Sequence, residues 1–81
     1  MNNIGDTIKA CRERRDMTRT ELAEAADLTI GSISLIERDL RVPSLQALGR
    51  IAEAFGISAW VLLYMADDSG DGWEEHVPPT K

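Results

Sequence analysis

The residue types that perform covalent chemistry are scarce in this 81-residue sequence. Cys11 is the only cysteine, and its spacing places it on the apolar face of a predicted helix; His76 is the only histidine and stands in a polar segment. The sequence contains no nucleophile–base pair, no cluster with metal-ligand spacing and no glycine-rich phosphate loop. We therefore predict a protein that is not an enzyme and that needs no metal or cofactor.

Arginine and hydroxyl side chains lie instead near two predicted helix starts. Arg19 falls in the first turn of one helix, and Arg38 and Arg41 flank the loop after the next helix. A guanidinium group binds phosphate well, and hydroxyl groups such as those of Thr29 and Ser32 can donate to phosphates or to bases. This grouping predicts contacts between the three arginines and the phosphates of a nucleic acid.

Two short predicted helices position these side chains. Thr18 followed by Glu21 is a capping box, in which each side chain binds a backbone amide of the other residue. An apolar stripe then ends near residue 27, and Thr29 can cap a second helix. Two short helices joined by a tight turn form a helix-turn-helix, whose second helix can enter the major groove of DNA.

A series of short segments extends this pattern from Ile4 to about Met65. The segments are Ile4-Gly5, Ile8-Lys9, Arg12, Met17-Thr18, Glu21-Leu22-Ala23, Leu28, Ile33-Ser34, Ile36-Glu37-Arg38, Pro43-Ser44, Leu45, Leu48, Ile51-Ala52, Phe55-Gly56-Ile57-Ser58 and Val61-Leu62. In this order and spacing they resemble the phage-repressor and Cro-type helix-turn-helix family. The resemblance implies a compact, all-α, five-helix fold that binds operator DNA as a dimer. It also implies a buried structural ion pair between Arg12 and Glu37.

The positions that commonly contact bases in that family carry few hydrogen-bonding groups here. They are Ile30, Gly31, Ser34 and Leu35. Ile30 and Leu35 could be core residues, but Ile33 and Ile36 already occupy the inward face, so we expect Ile30 to be exposed. Apolar side chains can contact thymine methyl groups. We therefore predict modest direct discrimination between bases, with a larger share from DNA shape.

The net charge of −5 is distributed unevenly along the chain. Residues 67–81 hold five acidic residues against Lys81, whereas residues 1–66 hold nine acidic and eight basic residues. We predict a DNA-binding domain over residues 1–66 and a disordered acidic tail over residues 67–81, since glycine, proline and like charges favour disorder. A near-neutral domain can bind DNA when its basic residues share one face.

The last predicted helix carries two aromatic residues on one face. Trp60 and Tyr64 are four residues apart, and the family often has a polar residue near the first of these positions. Clustered surface aromatics usually mark an interface. We therefore predict a homodimer through Trp60 and Tyr64, bound to a two-fold operator.

The leading hypothesis is a sequence-specific transcriptional regulator, most simply a repressor, that binds double-stranded DNA. One alternative is an antitoxin whose tail, with Trp73, binds a toxin partner. Another is a protein-interaction adaptor without DNA binding, which the acidic net charge and apolar base-contacting positions suggest. The sequence has no apolar run of about 20 residues, so we predict a cytoplasmic, nucleoid-associated protein with no membrane partner.

Overall fold

A computed structural model describes residues 3–66 of the protein. Five helices follow one another in this part of the chain: α1 (Ile4–Arg14), α2 (Arg19–Ala26), α3 (Ile30–Glu37), α4 (Leu45–Ala54) and α5 (Ala59–Ala66). The all-α, five-helix prediction is confirmed for these residues. The predicted acidic tail, with Trp73 and His76, lies outside the described residues.

Side chains cap the first four helices at their N-termini. Asn3, Thr18, Thr29 and Ser44 each accept a hydrogen bond from a backbone amide three residues ahead, at 2.8–3.0 Å. Glu21 completes the predicted capping box by accepting from the amide of Thr18 at 2.8 Å. These local interactions explain why the sequence pattern placed the helix starts correctly.

The ends of the helices use left-handed backbone conformations. Asp16, Asp27 and Asp39 follow the ends of α1, α2 and α3 with φ of 54°, 59° and 62°, and Gly56 follows α4 with φ of 79°. The left-handed residues Asp39 and Gly56 end α3 and α4. Aspartate tolerates this conformation better than most residues because its short polar side chain can bond locally.

The helices enclose one apolar core. Helix α1 packs on α3 and α5, α2 packs on α3 and α4, and α4 packs on α5. The fully buried large side chains are those of Ile8, Cys11, Leu22, Ile33, Ile36, Ile51 and Leu62. Cys11 is 1% exposed, as expected for a thiol that behaves as a small apolar side chain.

A backbone contact joins α1 to the end of α3. A Cβ atom built on Gly5 would collide with the carbonyl oxygen of Ile36 and lie 3.2 Å from that of Glu37. Because the neighbouring atoms are backbone, no side-chain rotation could relieve the collision. Glycine at this position therefore sets how closely α1 approaches α3.

No single helix among residues 3–66 is long and apolar enough to cross a membrane. Helices α4 and α5 together reach the length and apolar composition of a span, but they are bent by 97° at the break between them.

Candidate nucleic-acid interface

Helices α2 and α3 form the predicted helix-turn-helix. The turn is closed by a hydrogen bond from the amide of Leu28 to the carbonyl of Ala23 at 2.8 Å, and Asp27 provides the left-handed residue. Helix α2 buries Leu22, Ala23 and Ala26. Since α3 turns Ile33, Ile36 and Glu37 into the protein, the first turn of α3 is left at the surface.

The start of α3 presents half of the six predicted DNA-contacting residues between positions 29 and 35 to solvent. Ile30 is 49% exposed, and Thr29 and Gly31 are also exposed. A Cβ atom on Gly31 would have no neighbour closer than the Thr29 hydroxyl, at 3.9 Å. The remaining predicted residues, Ser32, Ser34 and Leu35, are half-buried. The surface at the start of α3 is therefore open, and the exposure of Ile30 is as expected.

A hydroxyl network connects this turn to the loop after α3. The Thr29 hydroxyl accepts from the Ser32 amide at 3.0 Å and donates to the Ser32 hydroxyl at 2.9 Å. Nη1 of Arg41 donates to the same Ser32 oxygen at 3.1 Å. The guanidinium of Arg41 thus lies against the start of α3. The sequence did not indicate this contact, because nine residues separate Arg41 from Ser32.

Arg12 and Glu37 form the ion pair that the resemblance implied. Nε and Nη2 of Arg12 donate to the two carboxylate oxygens of Glu37 at 2.7 and 3.1 Å, and Nη1 donates to the carbonyl of Met17 at 2.8 Å. The hydrogen bonds to Glu37 raise the pKa of Arg12, although burial opposes this shift. The stability from this pair is therefore present below the ordinary arginine pKa and is lost only as pH rises through the raised value.

Arg19 also contacts Glu37. Its Nε donates to Oε1 of Glu37 at 3.1 Å, while 41% of its side chain remains exposed. Arg38 is exposed, and its side chain makes no hydrogen bond or ion pair with residues 3–66. Arg19 and Arg38 thus both reach the surface, but of the two only Arg19 has a side-chain hydrogen bond to residues 3–66.

Large apolar side chains line the loop between α3 and α4. Leu40, Val42 and Leu45 are all exposed, and the sequence analysis gave them no role. Leu40 and Val42 flank Arg41 in the loop and Leu45 begins α4, so this part of the surface is both apolar and basic. Their exposure could not be predicted, because apolar residues in an extended segment have no helical period that would separate inward from outward positions.

Arg15 illustrates a contact that sequence reasoning missed. Nε of Arg15 donates to the carbonyl of Phe55 at 3.3 Å, and Nη1 donates to the carbonyl of Cys11 at 3.0 Å. Its guanidinium also lies 5.0 Å from the centre of the Phe55 ring. Arg15 therefore stabilises the end of α4, a role that no local signal indicates because 40 residues separate the partners.

Helix α5 carries the two predicted aromatic residues side by side. The rings of Trp60 and Tyr64 meet edge to face, with centroids 5.6 Å apart and planes at 60°. Trp60 is 51% exposed and the nearby Leu63 is 46% exposed. The shared face predicted from their spacing is present, and Trp60 does not fold into the core.

Comparison with known proteins agrees with this geometry. A family model described as helix-turn-helix matches residues 8–59. The immunity repressor protein of Bacillus phage phi105 is 44% identical over 54 residues, which are 67% of this chain and 38% of the phage protein. The transcriptional regulator SinR of Bacillus licheniformis is 34% identical over 67 residues, which are 82% of this chain and 60% of that regulator.

A solved structure shares the fold as well. The crystal structure of the master regulator for biofilm formation SinR in complex with DNA superposes with a TM-score of 0.70 at 36% identity, covering 74% of this chain and 97% of that one. The matched part of this chain spans 38% of the length of the phage repressor and 60% of the length of the Bacillus licheniformis regulator. The match over residues 8–59 covers more than half of the sequence and confirms the resemblance seen in the residue pattern. The chain belongs to the helix-turn-helix family.

Proposed function

We propose that this protein is a DNA-binding transcriptional regulator that inserts α3 into the major groove. The observation that carries the proposal is the open first turn of α3, where Ile30 is 49% exposed and none of residues 3–66 covers Gly31. A helix start of this kind is the part of a helix-turn-helix that approaches base edges. Thr29, Ser32, Ser34 and Leu35 complete the proposed contact surface with the bases.

Arginines around α3 supply the proposed phosphate contacts. Arg19 at the start of α2 and Arg38 and Arg41 after α3 all have exposed guanidinium groups or exposed stems. Local phosphate contacts contribute most of the nonspecific affinity, so an acidic net charge is compatible with binding by this face. The similarity to a phage immunity repressor and to a regulator crystallised with DNA supports the same function. It also supports the prediction that the chain is not an enzyme.

The proposed regulator binds as a homodimer to a two-fold operator and acts as a repressor. One helix-turn-helix covers one half-site, so two copies spaced by about 34 Å are needed to occupy a two-fold site. The face of α5 with Trp60 and Tyr64 is the proposed interface, because exposed aromatic clusters favour burial against a partner.

Selection of bound sites from a random duplex pool tests this function. We expect a short palindromic site to emerge, with a clear base preference at the positions that face Ile30 and Leu35. We also expect the affinity for this site to fall steeply as the salt concentration rises. A selection that yields no enriched site, together with no salt-dependent affinity for any duplex, would instead favour a protein-interaction adaptor.

A further inference from the structure

Glu37 binds two arginines that come from different helices. Its Oε2 accepts from Nε of Arg12, and its Oε1 accepts from both Nη2 of Arg12 and Nε of Arg19. The Glu37 side chain is fully buried, whereas that of Arg12 is 10% exposed and that of Arg19 is 41% exposed. Arg12 and Arg19 therefore share one buried carboxylate. Nη2 of Arg12 also lies 4.0 Å from Oε2 of the exposed Glu13, whereas Arg19 has no second carboxylate within ion-pair distance among residues 3–66.

The two guanidinium groups are used differently. Arg12 donates from all three of its nitrogens to protein oxygens. Arg19 donates only from Nε, so both of its terminal nitrogens remain without a hydrogen bond to residues 3–66. A guanidinium is a planar fork, and holding one edge fixes the direction of the other. Less rotamer freedom is then lost when the free edge binds a ligand.

We propose that Glu37 is a positioning residue for DNA binding, because its carboxylate holds Nε of Arg19 and directs the free edge of that guanidinium toward a DNA phosphate. This inference rests on the proposed function and gives Glu37 a second task beside its ion pair with Arg12. The carboxylate that joins α1 to α3 thereby also orients the phosphate contact made by α2.

Lysine substitutions separate positioning from charge. Arg19→Lys keeps the positive charge, but an ammonium group has no rigid second edge, so a bond to Glu37 does not direct its remaining donors toward a phosphate. Arg14→Lys is the matched control, because Arg14 is exposed, lies on the α1–α5 side outside the proposed DNA-binding face, and makes no side-chain hydrogen bond or ion pair with residues 3–66. We expect Arg19→Lys to weaken binding to a short mixed-sequence duplex by about tenfold, Arg14→Lys to change it by less than about twofold, and both variants to melt near the wild-type temperature.

Equal losses in the two variants, or wild-type affinity in Arg19→Lys, would overturn the positioning role while leaving the proposed function intact. A wild-type protein without salt-dependent affinity for the duplex would overturn both.

A second variant removes the carboxylate without leaving a buried charge unpaired. Arg12→Gln combined with Glu37→Gln replaces the ion pair by two amides, so folding is less at risk than in Glu37→Gln alone. We expect this double variant to lose affinity as Arg19→Lys does, and the addition of Arg19→Lys to it to cause little further loss, since the two changes break one interaction. Full additivity would contradict the proposal.

The hydrogen bond itself can be followed in the free protein by nitrogen-edited NMR. We expect a resolved Nε–H signal for Arg19 that exchanges slowly with water and that broadens in the double variant. Fast exchange of this signal in the wild-type protein would show that Glu37 does not hold Arg19. This measurement and the comparison of the two lysine variants test whether Glu37 positions Arg19, even if the double variant does not fold.

Discussion

Ile30 and Ile33 are three residues apart on α3 but have opposite environments, with 49% and 0% of their surfaces exposed. We predict that Ile30→Ala changes the free energy of unfolding by less than about 0.5 kcal/mol, because it removes few core contacts. It should nevertheless alter the preferred base pairs in a site-selection experiment. Ile33→Ala, the matched control, should lose about 2–5 kcal/mol.

Urea denaturation of the two variants gives the comparison. A loss of several kcal/mol in Ile30→Ala would mean that this side chain is a core residue in solution, and the proposed contact with thymine methyl groups would then have to be abandoned.

At the residue scale, the sequence predicted roles that follow from helical period and failed for roles that depend on side-chain rotamers. The exposure of Ile30 followed from the inward positions of Ile33 and Ile36. The bond from Arg19 to Glu37 did not, since 18 residues separate them and an arginine has several alternative rotamers. The approach of Arg41 to Ser32 was missed for the same reason.

At the scale of elements, Gly5 in α1 and Gly49 in α4 provide a matched pair of helical glycines. Gly5→Ala would drive a methyl group into the backbone of α3, and we predict a loss of about 1–3 kcal/mol. Gly49, inside α4, has no atom within 4 Å of a built Cβ, so Gly49→Ala should raise stability by about 0.5–1 kcal/mol. Thermal melting followed by circular dichroism distinguishes the two.

If Gly5→Ala melted above the wild-type protein, the close approach of α1 to α3 would not exist in solution. Gly5 belongs to one of the segments that resemble the helix-turn-helix family, but a glycine near a helix start does not indicate which backbone lies beside it. Caps were predicted because their partners are three residues away, whereas helix crossings depend on tertiary packing.

The exposed aromatic face of α5 leads to a prediction about assembly. Trp60→Glu should yield a folded monomer, because it places a charge in the proposed interface and disrupts the contact with Tyr64. Leu45→Glu, an acidic substitution at a more exposed apolar residue of α4, serves as the control and should leave the dimer unchanged. Sedimentation at micromolar concentration measures both.

An intact dimer in Trp60→Glu would exclude this face as the interface. Loss of the dimer in Leu45→Glu as well would point to a general effect of added charge.

At the scale of the whole molecule, the arrangement of charge sets the expected affinity for DNA. We predict that replacing Arg19, Arg38 and Arg41 together by Ala reduces the slope of log affinity against log salt by about three phosphate equivalents. Arg14→Ala is the control, because Arg14 lies at a groove with Met65 on the α1–α5 side. An unchanged slope in the triple variant would remove these arginines from the interface.

The acidic residues 67–81 give a further prediction that rests on sequence alone. Deleting them removes a net charge of −4 and should raise nonspecific DNA affinity at low salt, where screening is weak. The melting temperature should change little if the domain ends near residue 66, as predicted. A large fall in melting temperature would show instead that this segment contributes to the packing of the domain.

The left-handed aspartates at the ends of α1, α2 and α3 bear on how readily this domain can evolve. Asp16, Asp27 and Asp39 hold a conformation that costs an L-residue free energy and that glycine adopts freely. Replacement by glycine at each end is expected to gain up to about 1 kcal/mol, less the greater entropy of glycine in the unfolded chain. A lineage acquiring a new operator must place larger polar residues at the start of α3, and such changes usually reduce stability. The three helix ends offer sites where compensating substitutions can arise without altering the residues that face the bases.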